Sequence, residues 1–513
     1  MRSFFDWFRD EHAGAGDPWL ILGKGPSFAK RAQYELSAFK IVSLNHVVRE
    51  MPVTLAHIID LDVLDACADV IEKNAGALVM PWLPHVNNAA GPDTLEELAR
   101  KNPVLRRLDE QGRLLWYNLY NVEERARKGS PVISVAWFSA EAVLKLLAQA
   151  GASKVRSLGL DGGAAYSNEF DDLREKTLLA NGHQNFDRQF EEIAKIISRT
   201  GIDYAPLDVE SPVRVYVGTT EDQMLSVKVL EYSIRKHASM TVEVFPLHRA
   251  PIAAPTPKDP KNAPRTPFSF QRFLIPALAG CRGRAIYLDS DMQLFMDIRR
   301  LWTLPFDGAD LLAARKPGDG ERRPQFSVML LDCEALRWDI EEIVGMLDGG
   351  ELTYERLMYE MSVARNVRAD IHPAWNSLES YEPERTALVH YTDMPTQPWV
   401  SRANPLCHLW VRDLLEALDA GFVTLAYVKE HVSRGWVRPS LLYQIKHRVE
   451  DSLTLPRKAV AMDAGFVAPY EKMSGVAAEA QGARRFMPLV KTKRLLGSIF
   501  SHVMQKVETR DSE

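Results

Sequence analysis

The sequence predicts an α/β protein with two successive doubly wound domains and a basic helical tail. Three observations carry this. A chain of 513 residues exceeds one ordinary domain. Short apolar runs alternate with helical patterns in two series, the second starting at Val213. The stretch Arg434 to Glu513 has 14 Lys+Arg against 8 Asp+Glu, net +6, so the remainder of a chain at −5 carries −11.

Hydrophobic content of 46% and charged content of 26% fit a soluble globular protein, and the negative net charge points away from nucleic acid as a partner. The cysteines, Cys67, Cys281, Cys333 and Cys407, lie far apart and form no CxxC pair. A disulfide framework or zinc knuckle is not expected, and a reducing cytosol fits. The opening MRSFFDWFRDEHAG has charges at Asp6, Arg9 and Asp10 and lacks the apolar core of a signal peptide. The apolar stretch 132–152 is interrupted by Glu141 and Lys145, which suits a strand then a helix better than a membrane span.

In the first series, 18-PWLILGKGPSF-28 is an apolar strand entering a glycine-rich turn. FKIVSLN (39–45) and TLAHIID (54–60) are strands, LDVLDACADVIEKN (61–74) is helical, GALVMPW (76–82) is a strand, and KVRSLGLDGG (154–163) is a strand ending in a polar turn. This alternation predicts a Rossmann-like domain over 1–208, with a mainly parallel sheet. Ligands of such sheets sit at the carboxyl ends of the strands, which here carry Gly23, Lys24, Gly25, Ser27, Asn45, Asp60 and Asp161.

A boundary is expected at 207–212, and the second domain is placed at 212–435. VRVYVGTT (213–220) is a strand, 221–238 a helix and TVEVFPL (241–247) a strand. Six prolines in the 17 residues 251–267 exclude a helix or central strand and predict a long surface loop or lid. A helix at 269–280, strands at 309–315 and 326–332, and helices near 336–347 and 352–362 complete the series.

Between them lies 284-RAIYLDSDMQLF-295, where an apolar strand delivers Asp289 and Asp291. Side chains at i and i+2 of an extended chain face the same way, so the two carboxylates converge while Ser290 faces away. Convergent carboxylates repel unless a cation lies between them, and oxygen ligands suit magnesium or manganese. A solvated turn, or a capping role for one aspartate, accounts for the same residues without a metal. His390, at the end of the strand-like run 387-ALVHY-391, is a candidate third ligand; alone it reads equally as a satisfied strand-end histidine.

Residues 212–410 resemble a glycosyltransferase of family 8, which has the GT-A fold. Four features occur in that family's order: VYVGTTED; the helix containing Arg272; RAIYLDSDM followed by DIRRLW; and FSVMLLD, then HPAWN, then the HYT…PW segment. The resemblance implies a divalent metal, manganese or else magnesium, on Asp289, Asp291 and His390. It places Thr219, Thr220 and Asp222 near the base and ribose of a UDP-sugar, and Arg272 and Ser290 on the donor. Gln325 and Ser327 would face the donor sugar, and Asn376 and Trp399 would line the sugar or acceptor side. It implies transfer with retention, by front-face attack of an acceptor hydroxyl, with Asp393 in reach of that acceptor. The closing motif departs from the family's H-x-x-G-x-x-K-P-W: Asp393 replaces the glycine, Gln397 replaces the lysine, and the spacing is one residue longer. That substitution removes a positive charge expected against the diphosphate.

The turn 23-GKGPS-27 is either a phosphate-binding turn or simply a tight strand-to-helix connection. With SLN (43–45) and LGLDGG (158–163) it resembles the family 42 sialyltransferases and the 6-hydroxymethylpterin pyrophosphokinase-like proteins, over roughly residues 18–205. The resemblance implies a nucleotide or nucleotide-sugar site near Gly23, Gly25, Ser27, Asn45 and Asp161, with His183 as a candidate base. The domain would be a second transferase or one that positions the acceptor.

The remaining segment, 436–513, is expected to be a basic helical tail. Within 483–506 there are six basic residues and no acidic one, with Leu495, Leu496, Ile499 and Val503 on one helical face. Such a helix lies on an anionic membrane surface or packs on the protein with a solvated basic face. The expectation from the whole sequence is a cytoplasmic, membrane-peripheral, metal-dependent glycosyltransferase. It would use a UDP-sugar and a saccharide or lipid-linked acceptor in bacterial surface polysaccharide or lipopolysaccharide synthesis. The alternatives are a bifunctional transferase and a nucleotide-sugar-binding scaffold with weakened catalysis.

Overall fold

In the strand Trp19–Leu22, Leu20 and Leu22 enter one apolar cluster while Trp19 and Ile21 enter another on the opposite face. A strand covered on both faces has no reason to alternate with polar residues, so it reads as a continuous apolar run. In the computed structural model, which describes all residues except 13, 15, 120–124, 174–183, 316–325 and 471–513, this pattern builds a large parallel sheet. Its strands are β1 (Arg2–Ser3), β2 (Trp19–Leu22), β3 (Lys40–Leu44), β4 (Val53–His57), β5 (Ala75–Pro81), β6 (Leu114–Leu119), β7 (Val132–Ile133), β8 (Lys154–Leu158) and β9 (Asp203–Pro206). They lie in the order β1-β6-β5-β4-β3-β2-β8-β9, with β7 on β6, and every pair is parallel.

The strand β6 has no counterpart among the sequence expectations. Its LLWYNL also divides between the two clusters, Leu114 and Trp116 on one side and Leu115 and Tyr117 on the other. The helix expected over 61–74 is broken into Leu61–Ala66 and Ile71–Asn74. Buried Val63, Leu64, Cys67 and Ile71 satisfy one helix or two short turns equally, and Asn74 Nδ2 anchors the second turn on Val48 O.

The second sheet is mixed. Its strands are β10 (Val213–Gly218), β11 (Val242–Pro246), β12 (Arg284–Asp289), β14 (Leu311–Ala314), β15 (Val328–Asp332) and β16 (Val367–Ile371), in the order β11-β10-β12-β15-β14-β16. Three further strands, β13 (Met292–Leu294), β17 (Ser377–Leu378) and β18 (Leu388–His390), form a small sheet in the order β13-β18-β17. The helix expected over 269–280 is a 3-10 turn, Gln271–Leu274, followed by Ile275–Leu278, because Pro276 supplies no N–H to a continuous ladder. The proline-rich stretch 251–267 is a loop. It is pinned by Lys258 N–H on Asp348, Asn262 on Leu347 O, and Arg265 near Glu355.

Residues 207–212 lie between the two large sheets, and Met1–Phe466 form one compact unit. Tyr204 of β9 accepts from Thr241 N–H at 2.8 Å and donates its own N–H to Thr241 Oγ1 at 2.9 Å, which ties the edge of the first sheet to the residue before β11. Among the described residues no helix is long and apolar enough to cross a membrane. The basic tail segment 483–506 lies outside the described residues.

Candidate functional site

Strand β12 ends at Asp289, and β13 begins at Met292 after a bend at Ser290 and Asp291. The antiparallel ladder of β13 with β18 sets Met292 opposite His390, and Asp291 O accepts from Tyr391 N–H at 2.8 Å. The ladder thus carries His390 to the aspartate pair. Its Nε2 lies 3.1 Å from Asp291 Oδ1 and 4.0 Å from Asp289 Oδ2. One ligand atom from each of the three residues lies within 4.8 Å of the others.

Each member is held from behind. His390 Nδ1 donates to Asn376 Oδ1 at 2.9 Å, which leaves Nε2 of the neutral ring as the lone-pair nitrogen facing the carboxylates. Tyr287 OH donates to Asp289 Oδ1 at 2.5 Å and accepts from Arg272 at 3.1 Å. Gln397 Nε2 donates to Asp291 Oδ2 at 3.0 Å and to Tyr391 O at 2.9 Å. Gly218, beside Asp289 in the β10–β12 pairing, leaves the room that Tyr287 needs, because a Cβ there would stand 2.3 Å from the tyrosine hydroxyl.

The electrostatics are those of crowded, desolvated carboxylates. Burial pushes the Asp289 carboxyl up, Arg272 pulls it down, and Asp291 pushes it up again. Burial disfavours a charged His390, but the carboxylates of Asp291 and then Asp289 outweigh it and hold the imidazole above its ordinary range. Asp291 Oδ1 is buried and accepts no hydrogen bond despite its proximity to the ring. A buried carboxylate oxygen left open, a second carboxylate and an imidazole with its other nitrogen anchored are a donor set suited to manganese or magnesium.

The other residues singled out in the sequence take various places. Arg272 is 6% exposed and committed to Phe326 O, Ser269 O and Tyr287 OH, so it steadies Asp289 from below, where the resemblance implied a donor contact. Ser290 is fully buried and donates to Gln223 Oε1, as expected of the residue facing away from the pair. Thr219 is buried, with its N–H on Gln271, and Thr220 Oγ1 donates to Asp222 at 2.5 Å. Ser327 is buried; Trp399 packs in the core against Tyr391 and Trp410. Asp393 is exposed and accepts from Thr396. Gln325 and His183 lie outside the described residues. Sequence reasoning passed over Tyr287 and Gln223; Tyr287 reads as one more apolar strand residue, and nothing local marks Gln223.

In the first half, Gly23, Gly25, Asn45 and Asp161 line one cavity of about 850 Å³, to which Asp289, Asp291 and His390 do not belong. The glycines serve chain packing: a Cβ on Gly23 would stand 2.4 Å from Gly159 O, and one on Gly25 2.6 Å from Asp161 Oδ2. Ser27 lies behind, its N–H and hydroxyl both on the Asp161 carboxylate.

No protein-family model matches the chain. Over 97 residues, 18% of the chain, it is 31% identical to Protein CDI of Arabidopsis thaliana, and it spans 38% of that relative's length. Solved structures with some likeness are described as glycosyltransferases. One is a galactosyltransferase, LgtC, in complex with donor and acceptor sugar analogs: 14% identity, 41% of this chain, 96% of that one and a TM-score of 0.30. Another is the bifunctional WbbM: 12% identity, 42% and 51% coverage, TM-score 0.29. A third is GlyE of Streptococcus pneumoniae: 16% identity, 44% and 65% coverage, TM-score 0.30.

Proposed function

We propose that the protein is a metal-dependent retaining glycosyltransferase, with its donor site at the end of β12. The observation that carries this reading is the convergence of Asp289, Asp291 and His390, with Asp291 Oδ1 buried and unbonded and His390 oriented by Asn376. The ordered resemblance of residues 212–410 to family 8 supports a UDP-sugar donor. A divalent cation held there would offset the charge of the leaving diphosphate. The chain's own part is to hold two carboxylates and an imidazole at fixed angles, through Tyr287, Gln397 and Asn376.

In this reading residues 1–208 and 212–435 are distinct functional halves, and 436–513 is the tail. The acceptor is a saccharide or lipid-linked saccharide of a bacterial surface polysaccharide or lipopolysaccharide. The enzyme works in the cytoplasm or at the inner face of the membrane.

The test is calorimetric titration of UDP into the full chain with and without manganese, in the wild type and in Asp291→Ala. Manganese-dependent binding that the variant loses is the expected result. Absence of UDP binding in both conditions overturns the UDP-donor assignment.

A further inference from the structure

The cavity of about 850 Å³ lies at the carboxyl edge of the nine-stranded sheet, lined by residues that follow β2, β3, β4, β7 and β8 and by Leu119 at the end of β6. Open parallel sheets bind ligands at that edge. Its chemistry differs from what a phosphate needs. Gly23 N–H donates to Leu158 O, Gly25 N–H to Gly159 O and Ser27 N–H to Asp161, so the glycine turn is a clasp between strand ends. The helix Ser139–Ala150 starts at the cavity wall, but Glu141 accepts the N–H groups of Ala136 and Trp137 and supplies the negative charge that the helix start favours. The charged lining residues are Asp60, Asp62 and Asp161 against Lys24. An anionic ligand would meet an excess of its own sign.

The cavity offers acceptors and rings instead. Asp60 stands at the N-cap position of Leu61–Ala66 yet makes no capping bond, and its Oδ1 is buried without a partner. Asn45, at φ +53° directly after β3, also has Oδ1 unpartnered, while its Nδ2 reaches Ser139 Oγ at 3.4 Å. His46, only 3% exposed, lines the same wall with Nδ1 unpartnered. Burial brings His46 down to about 4, so it is neutral at physiological pH, and lifts Asp60 to about 6. Buried polar atoms without partners are costly, and a ligand that donates to them recovers that cost. The lining also carries aromatic rings: Phe138 packs on Phe186 at 5.1 Å, Phe186 stacks on Tyr166 at 6.0 Å, and Trp137 lines the same cavity.

We propose that this cavity binds a neutral saccharide, whose hydroxyls donate to the Asp60 carboxylate and the Asn45 amide oxygen while its C–H faces lie on the aromatic wall. In a glycosyltransferase such a site would recognise the acceptor. The proposal stands without that reading, because it rests on the cavity alone.

The test is saturation-transfer NMR on the full chain with glucose, galactose, N-acetylglucosamine, lactose and maltose, without metal, beside UMP and CMP. The expected result is transfer to at least one saccharide, with affinity reduced tenfold or more in Asp60→Leu and in Asn45→Ala. Asp291→Ala should retain it, which separates this site from the donor site. Because the Asp60 side chain makes no capping bond, Asp60→Leu is expected to melt at or above the wild-type temperature; Asn45→Ala carries the test if it does not fold. Transfer to no saccharide, transfer that survives both cavity variants, or transfer only to the nucleotides overturns the proposal.

Discussion

His390 Nδ1 donates to Asn376 Oδ1 at 2.9 Å, and this bond points Nε2 of the ring at Asp291. Asn376 belongs to the turn Pro373–Asn376, just before β17, so the small sheet supplies both the ring and its anchor. Second partners of this kind tune ligand basicity and orientation. Asn376→Ala should weaken manganese binding by about 10–100-fold, and Asn376→Asp, which keeps the acceptor, should recover most of it. Titration of the two variants with manganese checks this; equal affinities in wild type and Asn376→Ala would remove the anchoring role.

Tyr287 joins Arg272 to Asp289 through one hydroxyl. Tyr287→Phe leaves both buried groups short of a partner, which should cost about 1–3 kcal/mol of stability and lower manganese affinity. Gly218→Ala should do the same by displacing the ring. Thermal melts and manganese titration read the two effects, and a Tyr287→Phe variant with wild-type metal affinity would show that Asp289 is held by other means.

Gln397 occupies the position of the lysine in the family 8 pattern, and here its amide donates to Asp291. Gln397→Lys should weaken manganese binding, because an ammonium group beside Asp291 competes with the cation for the same carboxylate. Tighter manganese binding in this variant would count against the assignment of Asp291 as a ligand.

The clasp between β2 and β8 has no room for side chains. A Cβ on Gly159, whose φ is +78°, would stand 2.1 Å from Gly23 O. Gly159→Ala should cost about 2 kcal/mol or more, seen as a lower melting temperature. Manganese-dependent UDP binding should persist in the protein that remains folded. A melting temperature equal to the wild type would mean that the clasp yields freely.

His57 is fully buried against Tyr117 OH at 3.0 Å, and burial pushes its pKa down to about 3; His46 and His237 are pushed down to about 4. In the unfolded chain these rings titrate near ~6.5. Their lowered folded values mean that stability is fully present above that pH and is lost as the pH falls from it toward 4 and then 3. The melting temperature should therefore be lower at pH 5.0 than at pH 7.5. His57→Gln, which can keep a bond to Tyr117 without titrating, should narrow the difference. An undiminished difference would place the acid sensitivity elsewhere.

Much of the site was legible because it is local. An apolar run delivering Asp289 and Asp291 two residues apart is visible in the chain, since strand geometry follows from short-range sterics. Most strands of the first half were legible for the same reason; β1, β6 and β9 were not, and the apolar run of β6 is short and follows the charged segment 106-RRLDEQGR-113. The environment of Arg272 was not legible: it looks like a polar residue available to a ligand until packing shows it buried and bonded. Asp60 gives the opposite lesson. Its place at the end of a strand marks it in the chain as a ligand-side residue, and only the fold shows that its carboxyl makes no capping bond and lines a cavity.

By itself the sequence determined the alternation of strands and helices and the carboxylate pair, because periodicity and i, i+2 spacing act over a few residues. Only the tertiary structure decided that His390 meets the pair, that Asn376 turns it, and that the glycine turn closes on β8. Those contacts depend on sheet order and ladder register, which join residues far apart in the chain.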